Sequence, residues 1–214
     1  MTTKSAARRE QSHRTHAQRK AVLAATRDAD HRRTQRRRII ISAAIVVVLA
    51  GIVTAMMLSS RPTSSSTTRV APDFTLADTT GQQVHLADLR GHNVVLYFNE
   101  GAGCGSCLQQ MTSIEQNKAA FDSANITVLP IVMNTREQIT PDMTQYGVKT
   151  PFLLDDGTVS RAYDTLGHGM HAGLPGHGFV LIDSDGVQQW KGEYPSMWLA
   201  PNELLDQVSQ HLPA

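Results

Sequence analysis

A chain of 214 residues is long enough for one ordinary domain with appendages. Its formal charge of +1 conceals a split: Met1 to Arg38 holds twelve basic and three acidic residues, a net of +9, while Val70 to the C-terminus holds six basic and sixteen acidic, a net of −10. No Phe, Tyr or Trp accompanies the basic leader (1–38), which argues against a nucleic-acid-binding arm and leaves nucleic acid off the list of expected partners.

The two halves are joined by "IIISAAIVVVLAGIVTAMML", residues 39–58, twenty positions without a charge. A bilayer core of about 30 Å needs roughly twenty helical residues, so 39–58 is expected to cross the membrane as one helix. A cleaved signal peptide would have a shorter leader and an apolar core of about 7 to 15 residues. The basic cluster "HRRTQRRR" before the span, opposed only by Arg61 and Arg69 after it, places the N-terminal tail (1–38) in the cytoplasm and everything beyond outside it. Basic residues at that position also meet anionic lipid, at about 1 kcal/mol each. The expectation is a single-pass anchor in the cell membrane, a Ser/Thr-rich tether over 59–69, and an external domain over 70–214.

Along that domain the pattern alternates. "FTLAD" and "QVHLADL" flank the turn "TTGQ", and "NVVLYF" is a continuous apolar run of the kind a strand buried on both faces displays. "SCLQQMTSIEQNKAAF" has helical spacing through Met111, Ile114 and Phe121. "ITVLPIVM" reads as strand, "TREQITPDMTQYG" as a helix interrupted or started at Pro141, "PFLLDD" as a short strand and "TVSRAYDTL" as helix. "GFVLIDSDGVQQWKG" predicts two strands around Ser184-Asp185-Gly186, and "APNELLDQVSQHL" a closing helix. This order predicts an α/β domain with helices on both faces of a central sheet.

Both cysteines of the chain, Cys104 and Cys107, fall where "NVVLYF" gives way to a helix. As a staple, a four-residue loop contributes only roughly 2 kcal/mol before strain. At a helix N-terminus, however, about half a positive charge favours thiolate, the species that attacks disulfides and peroxides, and the i, i+3 spacing lets the second sulfur reach the first. Glu100 is placed to take a proton from Cys107, or to sit in a solvated loop. Ser106 would satisfy backbone N–H groups at the helix start. A metal reading stands beside the redox one, because "GHGMHAGLPGH" gathers His168, Met170, His171 and His177, and thiolate, imidazole and thioether suit copper or zinc.

"APDFTLADTTGQQVHLADLRGHNVVLYF", "PFLLDDGTVSRAY" and "GFVLIDSDGVQQWKG" resemble the thioredoxin-like redoxins, both peroxiredoxins of the alkyl hydroperoxide reductase/thiol-specific antioxidant type and membrane-tethered thiol-disulfide oxidoreductases. The likeness spans about residues 70 to 211 and implies a thioredoxin-like fold with a central mixed sheet. By resemblance to the reductases, Cys104 would be the exposed attacking thiolate, Cys107 the buried resolving thiol, and Pro175 a cis-proline beside the disulfide. Gly103 stands where thioredoxins usually carry Trp. By resemblance to peroxiredoxins, Cys107 would be the peroxide-attacking thiol; there, Cys104 replaces a threonine, Glu100 a proline and His177 an arginine. Copper-delivering Sco proteins are also similar, and would use Cys104, Cys107 and His177. The leading expectation is thiol-disulfide exchange with protein thiols or disulfides, no cofactor, and an electron donor in the membrane.

Overall fold

The computed structural model describes residues 33, 35–59, 61–66, 68–167 and 172–213. The chain falls into two compact units, Met1–Ser59 and Ser60–Ala214. In the first, Gln35–Ser59 forms one helix, α1, with a mean hydropathy of 2.8 over its most apolar window and no part of that window buried by protein. Its isoleucines and valines, Ile40 and Val47 among them, are exposed.

The second unit is built on a mixed sheet. Its strands are β1 (Thr63–Ser65), β2 (Arg69–Val70), β5 (Asn93–Phe98), β6 (Ile126–Val132), β7 (Leu153–Leu154), β8 (Gly178–Ile182) and β9 (Val187–Glu193), in the order β1-β9-β8-β5-β6-β7 with β2 also on β9. The β5–β6 and β6–β7 pairs are parallel, and β5–β8 and β8–β9 antiparallel. A separate hairpin pairs β3 (Thr75–Ala77) with β4 (Gln83–His85) and leads into a 3-10 turn at Leu86–Leu89.

Strand β5 is buried on both sides, and its alternation divides the core. Val95 and Tyr97 face α2 (Gly105–Gln116), α3 (Lys118–Ser123), α4 (Arg136–Tyr146) and α6 (Pro201–His211), packing with Leu108, Met111, Phe121, Ile139, Leu204 and Trp190. Val94, Leu96 and Phe98 face the hairpin and α5 (Thr158–Ala162), packing with Phe74, Leu86, Val159 and Tyr163. Side chains i and i+2 of a strand share a face, so one six-residue strand serves two cores.

Three local expectations change. The tether over 59–69 is not free throughout: Thr63, Ser64 and Ser65 pair with Glu193, Gly192 and Lys191, since short β-branched and hydroxyl side chains suit an exposed edge strand. The helix predicted over 106–121 is two, parted at Asn117. Helix α4 neither breaks nor starts at Pro141. It begins five residues earlier behind a capping box, Thr135 Oγ1 accepting from Gln138 N and Gln138 Oε1 from Thr135 N, and is anchored by buried Ile139 and Met143.

Candidate active site

Beyond Phe98 the chain must turn from a buried strand into α2, and three side chains hold that turn. Gly101 N donates to Asn99 Oδ1 at 3.1 Å, Ala102 N to Asn134 Oδ1 at 2.9 Å, and Gly103 N to Asp142 Oδ2 at 2.7 Å. Gly101, at φ 75°, has no room for a side chain: a Cβ there would lie 1.9 Å from Asn134 Oδ1. The turn delivers Cys104 as the N-cap of α2, its sulfur accepting from Cys107 N at 3.3 Å.

Cys104 and Cys107 are joined as a disulfide, with Cα atoms 5.3 Å apart. The two sulfurs differ in access. Cys107 is 0 % exposed and belongs to the helical-side core, while Cys104 is half-buried at its edge.

Behind Cys107 lies a polar pair that no local pattern brings together. The antiparallel register sets Tyr97 opposite Phe179, and their rings stack at 4.7 Å. His177, two residues before Phe179, therefore falls on the same side of the sheet. Its Nδ1 lies 3.2 Å from Tyr97 Oη and 4.0 Å from Cys107 Sγ; Tyr97 Oη also reaches the Cys107 carbonyl at 3.3 Å. His177 is 3 % exposed, and its Nε2 has no hydrogen-bond partner among the described residues. Burial lowers its pKa to about 4, so the ring is neutral at physiological pH. Burial, and after it the negative charge of half-buried Glu100, hold the Tyr97 phenol well above its ordinary pKa.

The sequence pattern of the AhpC/TSA family matches residues 67–191, more than half of the chain and all of this site. The chain belongs to the AhpC/TSA family. Both branches of redoxin chemistry appear among its relatives. The thiol-disulfide oxidoreductase ResA of Bacillus subtilis is 33% identical over 96 residues, covering 44% of this chain and 53% of ResA. Alkyl hydroperoxide reductase E of Mycobacterium tuberculosis is 31% identical over 121 residues, covering 55% of this chain and 78% of that enzyme. In structure, peroxidoxin BcpB of M. tuberculosis superposes with a TM-score of 0.57 at 17% identity, over 70% of this chain and 99% of its own, a likeness of fold. The thioredoxin-like α/β fold and the redoxin assignment thus agree with the sequence, and the chain is an oxidoreductase of a family that acts on thiols and disulfides.

Within this AhpC/TSA domain two expectations are corrected or moved. Among the described residues no peptide bond is cis, the one before Pro175 included. Only about 5% of X–Pro bonds in folded proteins are cis, and here Pro175 is engaged in a bridge with Leu166, flanked by Gly167 N donating to Leu174 O at 2.7 Å and Gly176 N to Thr165 O at 2.9 Å. Of the gathered metal donors, His168, Met170 and His171 lie outside the described residues. Among the described residues no group of three or more His, Cys, Asp or Glu side chains is arranged to hold a metal ion: with the disulfide closed, Cys104 and Cys107 are committed to each other and His177 offers one nitrogen.

Sequence reasoning missed Tyr97, Asn99, Asn134 and Asp142. Tyr97 alone carried a signal, a hydroxyl inside a wholly buried strand that has to find a partner.

Proposed function

We propose that this redoxin is a membrane-anchored thiol-disulfide oxidoreductase whose working cycle opens and closes the Cys104–Cys107 bond outside the cytoplasm. The observation that carries the reading is the unequal access of the two sulfurs at one helix end: Cys104 half-exposed at the N-cap, Cys107 fully enclosed. In the reduced form the positive end of α2 favours the Cys104 thiolate. That sulfur attacks a substrate disulfide, expels one substrate thiolate and leaves a mixed disulfide. Cys107 then attacks Cys104 Sγ, the second substrate sulfur departs with the bonding electron pair, and the protein disulfide re-forms. Two electrons pass from the protein dithiol to the substrate, and a thiol donor returns them.

Cys107→Ser is expected to accumulate a mixed disulfide on Cys104, and Cys104→Ser to lose disulfide reductase activity altogether, read by non-reducing gels and a model-disulfide assay. Turnover at the normal rate in both variants rules the reading out. For the anchor, twenty uncharged residues and the one-sided basic cluster support an N-terminus in the cytoplasm, with 59–69 leading to the external redoxin domain. Protease added to intact cells should digest the domain and spare the tail.

A second reading, peroxide reduction at Cys107, is favoured by the likeness to alkyl hydroperoxide reductase E. The complete burial of Cys107 and the substitutions at Glu100, Cys104 and His177 weigh against it. Trapping a sulfenate on Cys107 with stoichiometric peroxide consumption would decide for it.

A further inference from the structure

The resolving step sets a problem that the enclosure of Cys107 creates. A thiol with no exposed surface must lose its proton before its sulfur can attack, and bulk water is not at hand to take it. We propose that His177 is the proton acceptor for Cys107 and that Tyr97 positions its ring. This rests on the thiol-disulfide reading above and adds to it the group that sets the rate of the second half-reaction.

Four observations converge on His177. Its Nδ1 is 4.0 Å from Cys107 Sγ, within reach of an S–H donor. The ring is clamped edge-on between Tyr97, at 5.0 Å between centroids, and Phe179, at 5.7 Å, which fixes the direction of Nδ1. The phenol of Tyr97 touches both partners, the imidazole at 3.2 Å and the Cys107 carbonyl at 3.3 Å, and so ties acceptor and donor into one unit. Finally, a buried histidine with Nε2 unpaired among the described residues is costly in the core of a domain, a feature expected where the ring has chemistry to do.

The ionisable neighbours were surveyed from each packed element. Strand β5 contributes Tyr97 and α2 contributes Cys107; the segment after β9 contributes Tyr194, whose backbone N donates to the His177 carbonyl at 2.8 Å. Glu100 acts on Tyr97. Burial is the force on the His177 pKa, which leaves a neutral ring with a lone pair to offer.

In the step itself the Cys107 S–H proton passes to His177 Nδ1 as the sulfur bonds to Cys104 Sγ. The Cys104–substrate S–S bond breaks, and the substrate sulfur leaves as thiolate. The imidazolium, disfavoured by its enclosure, releases the proton to that thiolate. One S–S bond forms, one breaks, and one proton moves from Cys107 to the product thiol.

The test uses the reduced full-length chain in detergent micelles, mixed rapidly with an aromatic disulfide that releases a coloured thiolate. The first burst reports attack by Cys104 and the second reports resolution by Cys107. His177→Ala is expected to leave the first burst within about twofold and slow the second by about 100-fold. Between pH 6 and 8, roughly, the second burst should be nearly flat in the parent and rise about tenfold per pH unit in the variant, which must wait for free thiolate. Added imidazole should restore the second burst, and Tyr97→Phe should slow it by a smaller factor. A second burst in His177→Ala that keeps the parent rate and flat profile overturns the proposal, as does a loss seen in Glu100→Gln instead. Absence of the first burst in the parent overturns the thiol-disulfide reading itself, a separate failure.

Discussion

On the α5 face of the central sheet, buried polar atoms are paired. The Asp155 carboxylate accepts from Val159 N, Ser160 N and Ser160 Oγ at 3.0, 2.8 and 2.7 Å, and Tyr163 Oη donates to Pro72 O at 2.6 Å. On the α2 face, two buried nitrogens, His177 Nε2 and Trp190 Nε1, have no partner among the described residues. Both faces draw on the same strands, so the contrast does not come from the sheet. It comes from what each core is for: one holds the domain together, and the other carries a group that must change its protonation and bonding.

The comparison is broken most forcefully from the scaffold side. Asp155→Ala strands three buried donors and is expected to lower stability by about 3 kcal/mol in urea titration. The two bursts of disulfide reduction should keep their rates in the folded fraction. A marked change in either burst would erase the division between the faces.

On the site side the sharpest handle is acid. An unfolded histidine titrates near pH 6.5, whereas His177 in the fold titrates at about 4, so as pH falls the unfolded chain takes up this proton first. The contribution is whole above about pH 6.5 and is lost progressively down to about 4, on the order of 3 kcal/mol. His177→Leu is expected to flatten that part of the stability curve while slowing Cys107. An unchanged acid limb in the variant would show that other groups govern it.

A smaller effect is expected in the turn between β5 and α2. Gly101→Ala forces a side chain into the left-handed region and against Asn134, costing at least about 1–2 kcal/mol and loosening the cysteine pair. The least is expected at Gly105, where a Cβ would meet Tyr146 Oη at 2.4 Å, the far end of a side chain able to swing away. Gly105→Ala should change stability by under about 1 kcal/mol, since alanine also favours the helix. A larger loss would mean that Tyr146 is held against the motif.

Much of the scaffold was legible because its signals are local. "NVVLYF" and "GFVLI" are strands on both faces covered, and their apolar runs say so directly. Pro141 misled because a proline's local penalty was outweighed by a good cap and two buried anchors around it. The edge strand at Thr63–Ser65 was invisible because its partner lies some 130 positions further on. The same reasoning divides the site. Cys104 and Cys107 announce themselves by spacing, and the resemblance marked His177, though as a metal ligand and a replaced arginine. Its place beside Tyr97, eighty residues away, depends on the β5–β8 register, which no window of sequence contains.

The turn before the cysteines has a bearing on which molecules suit this mouth. Gly101, Ala102 and Gly103 present three amides in succession, and each is already taken by Asn99, Asn134 or Asp142. An oxygen atom gathering negative charge as it is cleaved would want such donors free to greet it. Here they are spoken for, and a visitor that brings its own backbone and sheds its charge onto sulfur has no need of them.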